Sequence, residues 1–416
     1  MTEISWRQQL FSRPMLICLF TGFSSGLPLY LLLNLVPAWL KSEGVDIKAI
    51  GLMALIQFPY TWKFVWSPLM DRFTVLPLGR RRGWMLLSQL FLLLAIAGLG
   101  LLNPAVTLWS IAALAFGVAF FSASQDIVLD AFRREILSDE QLGLGTALHV
   151  NAYRIAGLVP GALSLILADH LPWSWVFLIT ALFMLPGVML TLWVKEPDLC
   201  RPPKSLREAV VEPFHEFVTR KGWRYALLIL LFLFLYKLGD SMATALATPF
   251  YLDMGYSKSE IGLIAKNAGL WASVAGGLLG GLWMLQLGIN RALWIFGVVQ
   301  VGSILGFVWL SGYDANLWAL GLVIAFEALG VGLGTAAFTA FIARETDPRY
   351  TATQFALFTS LAAVPRTVVN ASTGYLVAWC GWQNFFWLCT LLAIPGMVLL
   401  LKVAPWKAES ENKKTN

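Results

Sequence analysis

Charge is scarce in this chain. Asp, Glu, Lys and Arg make up 13% of its 416 residues, about half the share usual in a globular protein. Hydrophobic types make up 58%, and the mean hydropathy is +0.70. That balance excludes a water-soluble fold. Cysteine is limited to Cys18, Cys200, Cys380 and Cys389, without paired spacing, so no disulfide framework and no metal site are expected. A Gly-rich phosphate loop, metal-ligand spacing and a nucleophile elbow are all missing, so no cofactor and no enzyme chemistry are expected. What is plentiful is long apolar runs, and they make this an all-α polytopic membrane protein.

A membrane span needs about 20 apolar residues. Twelve can be placed, at 13–40, 47–70, 83–102, 106–134, 143–168, 174–194, 222–252, 258–287, 290–311, 315–344, 351–379 and 383–405. The net charge of +6 follows topology rather than a nucleic-acid surface. With the N-terminus inside, 22 of the 30 Lys and Arg fall on the cytoplasmic side, and only Lys41, Lys48 and Lys258 fall outside. The positive-inside rule therefore predicts that both termini are cytoplasmic.

Residues 195–221 are rich in Arg, Lys, Glu and Pro and hold no long apolar run. They read as a cytoplasmic linker, with a surface helix over 206–217, between a bundle at 1–194 and a bundle at 222–416. The two halves resemble each other. The stretch Asp46 to Leu52 recurs as Ser257 to Leu263, about 211 residues on, and near that offset Pro37 matches Pro249, Gly44 matches Gly255 and Arg133 matches Arg344. Repeats of six spans share one orientation. Such parallel repeats are the two-bundle design of the major facilitator superfamily, twelve helices around a midplane site. Asp71-Arg72 followed by Gly79-Arg80-Arg81-Arg82-Gly83 resembles that superfamily's signature loop, although Thr74 to Leu78 enlarge it and Ser67 stands where Gly is usual. Asp71, Arg72, Arg80 and Arg81 are assigned to gating. So are Gly26 and Pro28, in a stretch of span 1 where glycines, serines and a proline weaken the helix.

Charged groups inside spans are costly and usually functional. Asp126 and Asp130 lie four residues apart in Ser122 to Arg134, a spacing that stacks them on one helix face. Two close acids do not easily ionise together, so the pair is the first candidate for proton coupling. Asp130 alternatively pairs with Arg133 or Arg134. Glu327, lone in span 10, is the second candidate. Lys237 and Asp240 are spaced to pair with each other or to face a substrate. Arg154 and Arg366 either balance the span 4 acids or hold an anionic substrate. Lys63 snorkels or pairs, and His149 reads as a packed histidine.

Several strings are specific. Ser25-Gly26-Leu27-Pro28-Leu29, Lys63 to Arg72, Gly79 to Trp84, Ser122 to Ala131, Tyr236-Lys237-Leu238-Gly239-Asp240 and Ala352 to Leu357 resemble the AmpG-type muropeptide permeases over about residues 10 to 400. The resemblance implies proton-driven import, across the bacterial inner membrane, of N-acetylglucosaminyl-1,6-anhydro-N-acetylmuramyl peptides for cell-wall recycling. It also implies an influence on β-lactamase induction, and hence on antibiotic resistance. A muropeptide carries sugars, amides and carboxylates. Lys237, Arg154 and Arg366 would supply charge to it, and Gln125, Asn151, Asp240 and Gln354 polar contacts. A monomer is expected. A siderophore or acyl-CoA-like cargo in the same fold stays open, and a membrane-embedded transferase is the competing class.

Overall fold

A computed structural model of the chain describes residues 10–45, 56–196, 205–220, 222–256, 258–313, 316–364 and 369–406. Among the described residues the regular elements are all helical. In chain order they are α1 (Arg13–Ser42), α2 (58–72), α3 (Arg80–Leu99), α4 (Leu108–Ile136), α5 (Leu142–Ala168), α6 (Trp173–Trp193), α7 (Leu206–Arg220), α8 (Trp223–Asp253), α9 (Lys258–Leu310), α10 (Leu317–Glu345), α11 (Thr351–Val364) and α12 (Thr373–Val403). The expected linker helix is α7, three residues longer than its predicted end.

Nine helices among the described residues are long and apolar enough to cross a membrane. The difference from twelve expected spans has identifiable sources. The expected span at 47–70 lies partly outside the described residues, and so does the middle of 351–379. Two other joins are hidden inside continuous elements. Gly288 (φ 75°, ψ 168°) turns the chain within α9, and Gly381 (φ 76°, ψ 167°) does so within α12. A side chain at such positive φ is strained, so glycine is required there. Gly79, before α3, has φ 112° and ψ 168°. Its conformation is thus repeated at Gly288, 209 residues on, and Gly44 (φ 80°) is repeated at Gly255 (φ 90°). The backbone carries the repeat that the sequence shows faintly. The matched strings Asp46 to Leu52 lie outside the described residues.

Proline shapes two helices of the first unit. Pro28 and Pro37 flank a widened π-helical turn at Leu31–Leu35 in α1, and Pro160 sits in another at Val159–Leu163 in α5. A proline ring clashes with the carbonyl four residues back, and a wider turn relieves the clash. The two turns pack against each other. Further in, α1 approaches α5 through glycine. A Cβ on Gly22 would sit 2.1 Å from the His149 carbonyl oxygen, and one on Gly26 would sit 2.2 Å from that of Tyr153. α1 runs as helix through Gly26 and Pro28. Gly26 therefore serves close helix packing through a small residue, and the helix widens only beyond Pro28.

The contacts divide the chain into two compact units. One comprises Met1–Ser138, Leu148–Phe214 and Thr346–Ser360; the other comprises Asp139–Ala147, His215–Glu345 and Leu361–Asn416. Relative to a cut at the linker, two short segments are exchanged, and they are repeat counterparts about 207 residues apart. Each has a packing reason. Ala352 and Ala356 are buried in a core with Met70, Met85, Ile127 and Phe132. Gly143 abuts Met284, and Gly281 abuts Ala147. Farther along, the first unit is filled by Leu27, Trp39, Ile96, Ile111 and Phe177, with Trp39 edge-on to Phe177 at 4.9 Å. The second is filled by Leu238, Met242, Phe250, Phe307 and Phe386.

Candidate functional site

The first unit gathers its acids on α4. Residues 122–134 of that helix bury Ser122, Gln125, Ile127, Val128 and Arg133, so the polar positions face neighbours within the unit. Ser25 on α1 donates its hydroxyl proton to the Asp126 carboxylate. One residue earlier on both helices, Gln125 Nε2 donates to Ser24 Oγ at 2.9 Å. Asp130 lies between two cations, with Arg133 Nη2 at 2.9 Å and Lys63 Nζ at 4.0 Å. Lys63 occupies a tight 3-10 turn that interrupts α2 and is 7% exposed, so it pairs rather than snorkels. The two acids thus have separate partners, a hydroxyl for Asp126 and a cation pair for Asp130. The pairing of Asp130 with Arg133 is the alternative the sequence left open. Two Lys and Arg cations against two acids leave the cluster neutral with both acids ionised, and singly positive once one of them holds a proton.

Several polar atoms here have no hydrogen-bond partner among the described residues. They are Gln125 Oε1, both amide atoms of Asn151, and Nε and Nη1 of Arg133. Arg133 is 1% exposed, and its guanidinium carbon lies 5.6 Å from the Phe355 ring centroid. Buried polar groups are normally paired, so these open positions on α4 and α5 stand out within the first unit. His149 is buried, with Nδ1 3.2 Å from Thr21 Oγ1. The Thr21 hydroxyl already donates to the carbonyls of Ile17 and Cys18. His149 Nδ1 is therefore the donor to Thr21, which holds the ring as a packed histidine.

A second cluster in the same unit contains the signature-loop residues. Arg81 is fully buried and pairs with Asp71 Oδ1 at 2.9 Å and Glu135 Oε1 at 2.6 Å. Arg80 donates to the Asp71 carbonyl at 2.9 Å. The other face of Asp71 accepts from Thr353, whose N–H lies at 2.9 Å and hydroxyl at 2.7 Å. Thr351 donates to Glu135 at 2.7 Å. A carboxylate is thereby set on the N-terminal turn of α11, where unpaired N–H groups and the helix dipole favour negative charge. Glu196 does the same for α3, accepting from the N–H groups of Arg81 (2.7 Å) and Arg82 (3.1 Å). Arg72 lies over the Phe73 ring at 5.5 Å. Glu135, Glu196, Thr351 and Thr353 were not legible as site residues, since their partners are up to 282 positions away. Ser24 and Ser25 were visible only as helix weakeners.

Gln354 is held at both ends of its amide. Its oxygen accepts from the Asp347 N–H at 2.7 Å and its Nε2 donates to the Pro213 carbonyl at 2.9 Å. These two backbone contacts secure the Thr346–Ser360 segment.

In the second unit, α8 is broken at Lys237 (φ −101°, ψ 0°) and at Leu246 (φ −115°, ψ 24°). Lys237 Nζ lies 3.5 Å from Asp240 Oδ2 and 3.2 Å from Thr335 Oγ1. The pair expected within one helix forms, and the break turns it toward α10. Glu327, also on α10, and Arg154, on α5 in the first unit, are half-buried. Arg366 lies outside the described residues.

The family model for the Major Facilitator Superfamily matches residues 18–369. An uncharacterized protein of Haemophilus influenzae is 53% identical over 422 residues, spanning 99% of each chain. The anhydromuropeptide permease of Escherichia coli (strain K12) is 43% identical over 397 residues, covering 94% of this chain and 80% of that protein. Among solved structures, the proton:xylose symporter XylE superposes with a TM-score of 0.67 at 10% identity, covering 94% of each chain; at that identity it attests to the fold.

Proposed function

Because the chain belongs to the major facilitator superfamily, and within it to the AmpG-type permeases, we propose that it imports cell-wall muropeptides across the bacterial inner membrane, coupled to protons. The cargo would be an N-acetylglucosaminyl-1,6-anhydro-N-acetylmuramyl peptide taken from periplasm to cytoplasm, with both termini of the carrier cytoplasmic. The cargo reading rests on the 43% identity to the anhydromuropeptide permease over nearly the whole chain.

The observation that carries proton coupling is the placement of Asp126 and Asp130. Asp126 touches a hydroxyl and Asp130 touches Lys63 and Arg133. A proton on Asp126, whose contact is a hydroxyl, leaves Lys63 and Arg133 to share the single charge of Asp130, so the buried cluster gains one uncompensated positive charge. An unpaired buried charge is strongly unfavourable, so protonation biases Arg133 toward water or toward a substrate carboxylate. Its neighbour Phe355 belongs to the Thr346–Ser360 segment held by Asp71, Arg81 and Glu135. Protonation of the acids would therefore work against that latch, which is the gating role assigned to Asp71, Arg80 and Arg81. Asn151 and Arg154, with Lys237 and Asp240, are the candidate substrate contacts, and Arg366 joins them from its sequence position. Glu327 is the reserve proton site.

The test is uptake of a labelled anhydro-muropeptide into proteoliposomes with an imposed pH gradient, alongside an iron-free siderophore and an acyl-CoA. Accumulation of the muropeptide alone, dependent on the gradient, is expected. Accumulation of either other cargo in its place overturns the substrate, and uptake indifferent to the gradient overturns the coupling.

A further inference from the structure

The second unit contains a small internal cavity lined by Tyr236, Asp240, Gly297, Gln300, Ile304 and Met397, among others. Its volume is ≈ 10 Å³, the least that admits one water and too little for anything larger. Two buried polar atoms of its lining residues have no hydrogen-bond partner among the described residues: Oδ1 of Asp240 and Nε2 of Gln300. Gln300 is 3% exposed, so bulk water does not solvate it. The other polar groups nearby are engaged. Asp240 Oδ2 faces Lys237 at 3.5 Å, and the Tyr236 hydroxyl donates to the Leu293 carbonyl at 2.9 Å. What remains is one acceptor and one donor, the complement of a molecule that both donates and accepts. A metal cation would meet the donor end of the amide, and an anion would meet the carboxylate.

The internal repeat supplies an independent reference. Gln89 precedes Gln300 by 211 residues, the offset that also links Arg133 to Arg344. Gln89 is buried to a similar degree, at 1% exposed. Its Oε1 accepts from the Thr191 hydroxyl at 2.8 Å, and no atom of its amide is orphaned among the described residues. Gly187 leaves room beside it for Ser24 Oγ. In the second unit the Gln300 amide packs against Gly334 of α10, and apart from Tyr236 and Asp240 the cavity lining beside it is apolar: Val301, Ile304, Ala393 and Met397. The threonine hydroxyl that bonds the glutamine in one half has no counterpart in this cavity lining.

We propose that the cavity binds one water molecule, which accepts from Gln300 Nε2 and donates to Asp240 Oδ1. Held from that side, the carboxylate keeps its other oxygen on Lys237, which also reaches Thr335 at 3.2 Å. Gln300 is then a positioning residue for the Lys237 anchor; this second step rests on the substrate role proposed for Lys237, whereas the water site does not.

The two parts are tested separately on the purified full chain. Microsecond X-ray radiolysis hydroxylates side chains beside bound water, and Tyr236, only 5% exposed, reports on the cavity. Wild-type protein mixed into H2-18O just before exposure should be hydroxylated at Tyr236 with oxygen that lags the bulk isotope. Gln300→Met removes the donor and fills the space, and should lower that labelling about fivefold or more while leaving Tyr30 unchanged. An unlabelled wild-type Tyr236, oxygen that matches the bulk at once, or equal labelling in Gln300→Met overturns the site. If the variant does not fold, the wild-type isotope lag decides alone. For the positioning role, Gln300→Met should raise the KM for muropeptide about fivefold with kcat within about twofold. Loss of the label with an unchanged KM overturns the link to Lys237 and leaves the water site standing.

Discussion

Asp71→Asn preserves volume and one acceptor oxygen, and removes the charge that joins α2 to the first turn of α11. In the structure, Asp71 Oδ2 accepts from the Thr353 N–H at 2.9 Å and the Thr353 hydroxyl at 2.7 Å, while Oδ1 faces Arg81 at 2.9 Å. If the Asn oxygen stays with Arg81, the Thr353 N–H loses its acceptor, and the Thr353 hydroxyl keeps only a neutral bond by turning to accept from the new amide. Hydrogen bonds to a charged group contribute about 1.5–3 kcal/mol and neutral ones about 0.5–1.5 kcal/mol, so the segment loses roughly 3 kcal/mol of hold. At about 1.4 kcal/mol per factor of ten, opening of the α11 start becomes roughly 100-fold more frequent. Hydrogen–deuterium exchange on a peptide covering 351–360 measures this directly, because the Ala352 and Thr353 amides point at Asp71. Expected is a loss of protection of about that size, confined to this segment and the α2 end. Unchanged exchange in a folded Asp71→Asn protein would show that the cores around Ala352 and Ala356 hold the segment without the carboxylate, and would refute the latch.

Four other outcomes are expected. Asp126→Asn should retain fold and counterflow exchange, since Asn mimics the protonated acid, and should abolish uphill uptake under a pH gradient; accumulation by this variant and by the double Asn variant at 126 and 130 moves the coupling to Glu327 or Asp240. Gly26→Ala forces a Cβ to 2.2 Å from the Tyr153 carbonyl and should cost about 1–3 kcal/mol, seen as a lower melting temperature in detergent; an unchanged melting temperature means α1 and α5 separate freely. Lys237→Ala should raise the KM for muropeptide about tenfold or more through loss of a charged contact, with Arg154→Ala and Arg366→Ala weaker, each compared at matched expression. Reporter fusions near Glu208 and at the C-terminus should both read cytoplasm; a periplasmic signal at either rejects the orientation.

The residue types and their order were enough for the class of molecule, because a bilayer imposes length and apolarity on every crossing segment. The same holds for the repeat, whose constant offset is visible in Gly44 and Gly255 and returns as matching positive φ angles. Pairings within one helix were also legible: Lys237 with Asp240 and Asp130 with Arg133 are three residues apart, and helical geometry alone brings such neighbours together. Partners on different helices were not. Ser25 is 101 residues from Asp126, and Thr353 is 282 from Asp71. No local period records that a serine doublet faces an acid or that a carboxylate caps a distant helix. Gln354 is a further case, since its backbone partners Asp347 and Pro213 are not legible from its place in an apolar run. The sequence by itself determined the membrane class, the internal repeat and which charges lie in apolar segments. Tertiary packing decided which buried charge meets which partner, because desolvated polar groups are satisfied by whatever the neighbouring helices bring within about 3 Å.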